Sequence, residues 1–476
     1  MFLPAGSVLP TARRAVVVAA ALLATLATAV PLAHAAPSAP TGVRQDFDGD
    51  GYEDLAVAAP HGTVGGRTDA GYVAVVYGSA GGLAGGTKKV YTQDSAGIPG
   101  TAEAGDLFGS RLVTADLDGD GFTDLLVDAA REQWTQGGIA REGSRTVLWG
   151  GPGGLTTGTL LPAEGDGRQQ SFFSVAGDFD GDGHQDLARS GRVAYGPFGR
   201  DGVPASARTG PDFVDGDLLT VAVAAGDTDG DGTTDLVSLA RSYDWDDEGR
   251  YGYGLYQLRG SRDGLLPPTA LKNLPDPEGS ALALGDLDGD RRADLVLGGD
   301  SLRILRAGPD GLAGGTAREI TQDTPGVPGA QEAGDGFGSA LSVGDVDGDG
   351  YGDVLAGIPY EDFDGIDQAG TFAVVPGGPA GPTGAGTKVL SQNSAEVPGT
   401  AEEGDTFGAG TDLLDGDGDG RAEPVVAAPG ENSFAGAVWA FRSTSAGVTA
   451  QGSFSFGASA LGMPVSRALL GSVFPR

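Results

Sequence analysis

Cysteine is absent from all 476 residues, so no disulfide framework can staple this chain. Histidine occurs only three times, which leaves little room for imidazole chemistry. Positive charge is scarce as well: 30 Lys and Arg face 65 Asp and Glu, for a net charge of -35. That balance argues against binding to nucleic acid. Past residue 35 no apolar run is long enough to cross a bilayer, so no membrane span is expected. Neither Gly-x-Ser-x-Gly nor His-Glu-x-x-His occurs. Glycine is abundant, at 86 residues, but never in the strict every-third period of collagen. Spread between short apolar runs, it fits a fold of many tight turns.

The first 35 residues read as an export signal. Arg13 and Arg14 close a short basic region, residues 15–30 are apolar and rich in Ala, Val and Leu, and Ala33-His34-Ala35 supplies a small-x-small cleavage site. The mature chain is expected to run over 36–476 and to be secreted. An exported chain without disulfides needs another staple, and metal is the expected one.

One pattern recurs seven times, Asp-x-Asp-Gly-Asp-Gly-x-x-Asp followed by an apolar run. Copies start at Asp46, Asp116, Asp178, Asp227, Asp286, Asp345 and Asp415, spaced 70, 62, 49, 59, 59 and 70 residues apart. The fifth has Arg291 in place of the second Gly, and the seventh ends in Glu423. No gap reaches twice the shortest, so no eighth unit is expected. The nine residues also open an EF-hand loop, but position 12 is Val57, Val127 or Ala356 rather than Glu, which rules that reading out.

Short apolar runs after each loop read as buried strands, such as Leu55-Ala56-Val57-Ala58 and Leu295-Val296-Leu297. A further strand follows (Gly71 to Tyr77, Ala437 to Phe441), then another (Lys89-Val90-Tyr91-Thr92, Lys388-Val389-Leu390-Ser391). One precedes each loop, as in Ser110-Arg111-Leu112-Val113 and Ser280 to Leu284. Four strands per unit and seven units at this period predict an all-β, seven-bladed propeller, with the acidic loop between strands one and two. A solenoid would need capping repeats. Instead, the first unit lacks its first strand, and the segment at Phe456-Gly457 resembles the one at Phe108-Gly109. That C-terminal strand is expected to complete the first blade and close the ring.

Phe-Gly stands eight residues before the loop in Phe108-Gly109, Phe337-Gly338 and Phe407-Gly408. After the loop come Ala58-Ala59-Pro60, Gly357-Ile358-Pro359 and Ala427-Ala428-Pro429. The Val/Ile-Pro-Gly segments at Pro99, Pro328 and Pro398, each followed by Glu103, Glu332 or Glu402, also match one another. These motifs resemble the FG-GAP repeat of integrin α-subunit heads, most fully in units 1, 2, 6 and 7. The resemblance implies a seven-bladed propeller with calcium in the loops. Two departures bear on integrin-type adhesion: no leg domains or membrane span are expected here, and all seven units carry the loop.

Carboxylates at loop positions 1, 3, 5 and 9, with the carbonyl at 7, can wrap one calcium ion. In the first loop these are Asp46, Asp48, Asp50 and Asp54 with Tyr52, and in the second Asp116, Asp118, Asp120 and Asp124 with Phe122. The third offers Asp178, Asp180, Asp182 and Asp186 with His184, and the fourth Asp227, Asp229, Asp231 and Asp235 with Thr233. The fifth offers Asp286, Asp288, Asp290 and Asp294 with Arg292, and the sixth Asp345, Asp347, Asp349 and Asp353 with Tyr351. The seventh offers Asp415, Asp417, Asp419 and Glu423 with Arg421. Up to seven calcium ions are expected. Their fourteen charges would bring the net charge from -35 to -21.

No catalytic residue emerges. His184 sits inside the third loop and His61 on another loop after Pro60, so a binding protein is expected rather than an enzyme. A secreted hydrolase remains an alternative. The expected ligand face lies opposite the acidic loops, on the connections between strands two and three. Candidate segments are Tyr243 to Tyr251 with Trp245, followed by Tyr253, then Arg131-Glu132-Gln133-Trp134, and Tyr360-Glu361-Asp362-Phe363. Aromatics beside acids suit a protein or a glycan partner. A monomer is expected.

Overall fold

The chain is described by a computed structural model for residues 45–475, apart from 137–138, 163–172, 215–217, 243–251, 275–278 and 280. The expected export signal, the insertion at 243–251 and Ser280 lie outside the described residues. Among the described residues the chain folds into seven antiparallel sheets, the blades of a propeller. Six sheets have four strands in simple sequence order and one has three.

The three-stranded sheet is blade 1, formed by Leu55–Ala59, Tyr72–Val76 and Lys88–Tyr91. In blade 2 the order is Phe108–Ala115, Asp124–Gln136, Ile139–Trp149 and Thr157–Leu160. The first strand of each blade from 2 to 6 contacts the first strand of the next, so these strands line the axis. The second strands are buried where they pack between blades, as in Leu55–Ala59, Asp294–Gly298 and Glu423–Ala428. A sheet covered on both faces by neighbouring blades has no polar side, so these strands read as unbroken apolar runs. Fourth strands lie outermost, and Pro204–Thr209 and Thr269–Ala270 are largely exposed.

Blade 7 meets blade 1 directly. Glu53 N donates to Asp415 O at 3.0 Å, Ser79 N to Gly416 O at 3.0 Å, and Gln45 Nε2 to Asp412 Oδ2 at 3.0 Å. One apolar cluster spans both blades, with Leu55, Val57, Tyr72, Val425, Val438 and Leu470 among its members. The expected role of Phe456-Gly457 needs correction here. Phe456 lies in Gly447–Gly457, the fourth strand of blade 7, opposite Val438. The backbone that pairs with the open edge of Leu55–Ala59 comes later: Ala58 N donates to Val473 O at 2.9 Å, and Gly471 N to Ala58 O at 3.2 Å. Arg131 to Trp134 also differ from expectation. They extend the second strand of blade 2, and Gln133 and Trp134 pair with Glu142 and Arg141 in a long hairpin rather than forming a loop.

The Phe-Gly motif has a steric cause. Phe108, Phe337 and Phe407 are buried to within 1%. Gly408 has φ +100°, and a Cβ there would collide with the Thr371 carbonyl of blade 6. Gly408→Ala therefore combines left-handed strain with a backbone clash at a blade interface. Its expected cost is about 3 kcal/mol. Chemical denaturation of the variant beside the parent measures this, and an unchanged midpoint would refute the interface argument.

Candidate metal-binding loops

Each acidic loop is built by its own backbone. In the first, Asp46 Oδ1 accepts from Gly49 N at 2.7 Å and Asp50 N at 3.2 Å, and Asp46 Oδ2 from Gly51 N at 3.0 Å. Asp50 Oδ1 accepts from Tyr52 N at 3.1 Å. The loops starting at Asp116 and Asp345 repeat this set bond for bond. Gly49 and Gly51 take φ values of +73° and +91°, which is why glycine holds positions 4 and 6. In the fifth loop Arg291 takes the second glycine's place at φ +69° and still donates its N–H to Asp286 Oδ2 at 2.8 Å.

Position 9 is different in kind. Asp54 is fully buried and bridges two elements: Phe47 N donates to its Oδ2 and Gly78 N to its Oδ1, both at 2.8 Å. Asp124, Asp186, Asp294 and Asp353 are held the same way. In the fourth loop Thr228 and Gln257 add side-chain donors to Asp235. Burial pushes the carboxyls of Asp54 and Glu423 up to about 8, and those of Asp124, Asp186, Asp294 and Asp353 to about 7. The neighbouring loop carboxylates push in the same direction. A buried carboxylate facing others is unfavourable without a compensating cation.

The structure brings the expected carboxylates together. Ligand oxygens of Asp46, Asp48 and Asp50 lie within 4.8 Å of one another, as do those of Asp116, Asp118 and Asp124, and of Asp178, Asp180 and Asp186. The trios Asp227, Asp229, Asp231 and Asp286, Asp288, Asp290 meet the same limit. Asp180 Oδ1 and Glu423 Oε1 are buried with no hydrogen-bond partner. Clustered carboxylate oxygens with unmet acceptors fit a hard, oxygen-preferring cation, so these loops could hold calcium.

Sequence reasoning missed four arginines that reach these loops from outside the motif. Arg200, in the turn between strands three and four of blade 3, reaches Asp118 and Asp120 of blade 2, both at 2.6 Å. Arg442 pairs with Asp417 at 2.7 Å. Arg259 contacts Asp229, and Arg306 contacts Asp288. Arg292 and Arg421 fold back onto Asp290 and Asp419 of their own loops. Arg200, Arg259, Arg306 and Arg442 come from strands or the turns after them at no fixed offset from the motif, so no spacing announced them, whereas Arg292 and Arg421 occupy position 7 of their own loops. The two histidines stay apart: His61 pairs with Asp69 at 3.0 Å, and His184 remains in the third loop.

The match to a repeat family agrees with this architecture. Three segments, 41–76, 108–145 and 337–387, match the FG-GAP repeat. They fall in blades 1, 2 and 6. The similar copy in blade 7, with Phe407-Gly408, lies outside them. Integrin alpha-PS2 of Drosophila melanogaster is 30% identical over 33% of this chain and 13% of its own length. Phosphatidylinositol-glycan-specific phospholipase D of Mus musculus is 30% identical over 38% of this chain and 21% of its own length. The chain thus spans about a fifth or less of these curated relatives. Among solved structures, a Photorhabdus luminescens Tc holotoxin pore covers 70% of this chain at 19% identity, with a TM-score of 0.35.

Proposed function

We propose that this propeller, which carries FG-GAP repeats in blades 1, 2 and 6, is an exported, calcium-stabilised scaffold that binds a protein partner on the face opposite its acidic loops. The observation that carries the calcium part is the buried position-9 carboxylate, held among other carboxylates in loop after loop. The ions would be held by the seven sets from Asp46 to Glu423 named above. Their work would be structural, joining each first strand to its second. The basic and then apolar character of the first 35 residues supports export.

Consecutive antiparallel strands put the connections between strands two and three at the end away from the acidic loops. There the long hairpin of blade 2 carries Trp134, whose Nε1 donates to Gly143 O at 3.0 Å, and blade 6 presents Tyr360, 47% exposed. Aromatic groups on rigid elements make good anchors, because little side-chain entropy is lost on binding. Among the described residues no helix is long and apolar enough to cross a membrane.

The test begins with a pull-down from extracellular fluid and a glycan array. With a partner in hand, Trp134→Ala and Tyr360→Ala should each weaken binding about tenfold or more and leave the melting point nearly unchanged. Asp231→Ala, in the fourth acidic loop, should lower melting and leave affinity in the cold nearly intact. The reverse pattern would put the acidic face in contact with the ligand and overturn this reading. Retention on glycans alone would replace the protein partner with a sugar.

A further inference from the structure

The Val/Ile-Pro-Gly segments build a second repeated constellation, at the opposite end of the blades from the acidic loops. Gln93, Gln322 and Gln392 each stand six residues before the proline, just beyond the last strand of blades 1, 5 and 6. They are 4%, 3% and 1% exposed. Each donates its amide Nε2 to a glutamate of the next blade: Glu132 at 2.5 Å, Glu361 at 2.6 Å and Glu431 at 2.6 Å. Glu132 lies far along its blade's second strand, and Glu361 and Glu431 lie just past theirs.

An aspartate joins each pair. Asp106, Asp335 and Asp405 are 3%, 7% and 2% exposed. Each accepts a backbone N–H through Oδ2, from Glu103 at 2.6 Å, Glu332 at 2.9 Å and Glu402 at 2.8 Å. Their backbone carbonyls accept from Arg131 N, Tyr360 N and Gly430 N, which ties the interblade connection to the end of the second strand. The carboxylates of Asp106 and Glu132, of Asp335 and Glu361, and of Asp405 and Glu431 stand near enough to repel one another. Burial raises all six carboxyls above their usual range.

The amide oxygen decides what these pockets lack. Gln93 Oε1, Gln322 Oε1 and Gln392 Oε1 are all buried with no hydrogen-bond partner. Turning the amides over is no remedy, because that would set Oε1 against the glutamate carboxylate. Each pocket thus gathers aspartate and glutamate carboxylates beside an amide oxygen that no donor meets, and in the third Asn432 Nδ2 also donates to Glu431 Oε1 at 2.8 Å. A single shared proton would join the two carboxyls and leave the amide oxygen unmet. A cation would meet all three.

We propose that these three interblade pockets are a second class of cation site, taking a hard divalent ion such as calcium. Asp106, Glu132 and Gln93 form the first, Asp335, Glu361 and Gln322 the second, and Asp405, Glu431 and Gln392 the third. The ion would clamp three elements from two blades, whereas an acidic loop closes on itself. The exposed Glu103, Glu332 and Glu402 stand beside the buried aspartates and favour cation entry. The proposal is independent of whether the acidic loops hold calcium.

Equilibrium dialysis of the full chain against calcium tests it, with the triple variants Asp106→Asn/Asp335→Asn/Asp405→Asn and Gln93→Glu/Gln322→Glu/Gln392→Glu. The first variant is expected to bind about three fewer ions than the parent while keeping its circular dichroism spectrum. The second, with a carboxylate replacing a neutral oxygen, is expected to keep the stoichiometry and bind about tenfold tighter. Equal stoichiometry in the parent and the folded asparagine variant would overturn the proposal. So would a glutamate variant whose melting point falls equally with and without calcium, which would mark a water- or proton-bridged network. If the asparagine variant fails to fold, the glutamate variant decides. An Asp347→Asn variant, whose change lies in an acidic loop, reports separately on that class of site.

Discussion

Dialysis against a chelator is expected to lower the melting point of this protein by 10 °C or more, with calcium restoring it. The order of magnitude follows from mass action: a ligand bound only by the folded state, at a concentration a hundredfold above its Kd, adds about 2.7 kcal/mol per site. Three filled loops would contribute about 8 kcal/mol, against a total stability of about 5–15 kcal/mol for a typical domain. Without the ion, Asp46, Asp48 and Asp50 repel one another across less than 4.8 Å, and Asp54 must stay buried beside them. Calorimetry in calcium and after dialysis measures the difference. An unchanged melting point in the stripped protein would refute the structural role of calcium in the loops.

Removing residues 468–476 is expected to cost about 6 kcal/mol and to make the protein associate. Leu470 is fully buried and Phe474 is 6% exposed, and burial of two such side chains stabilises by about 2–3 kcal/mol each. Leu469 N and Leu470 N also bind the carbonyls of Phe434 and Ala435 in blade 7, while Gly471 and Val473 hold Ala58 in blade 1. The segment therefore bridges the two blades. Without it the edge of Leu55–Ala59 becomes a free template for another chain. Light scattering during size-exclusion chromatography, together with a melt, checks both parts. A truncated chain that stays monomeric with the parent's midpoint would show that the bridge contributes nothing.

The acidic loops were legible because they are local. Asp46 bonds the amides of residues three, four and five positions later, so nine residues carry the whole turn. The second strands were legible because burial on both faces leaves only apolar residues. Long-range geometry was not. The likeness of Phe456-Gly457 to Phe108-Gly109 misled because it ignored the backbone: Gly109 has φ +90°, whereas Gly457 has φ -119°, which any residue can adopt. Val473 and its neighbours show no strand alternation, and their partners, Ala58 for Val473 and Leu112 for Pro475, lie more than 350 residues away. Arg200 reaches its aspartates across 80 and 82 residues. The glutamine pockets were within reach of sequence, because the offset from Gln to Glu is 39 residues in all three copies. Aligning the Val/Ile-Pro-Gly segments over a longer window would have exposed it.

The direct seam between blades 7 and 1 sets the tempo at which this protein can finish folding. Glu53 and Asp415 exchange two hydrogen bonds across a separation of 362 residues, whereas adjacent loop starts lie 49 to 70 residues apart. Closing the longer stretch costs only about 1.6 kcal/mol more in chain entropy than closing a neighbouring one, since the cost grows with the logarithm of length. A few seam contacts offset that easily, so the ring is thermodynamically cheap to shut. In time it is expensive, because such distant contacts slow the search. Blade 1 emerges first from the ribosome and is completed last. Until residues 468–475 arrive, the growing chain is an open arc with one bare strand edge, and the interval before closure is when it is most exposed to mispairing with another copy.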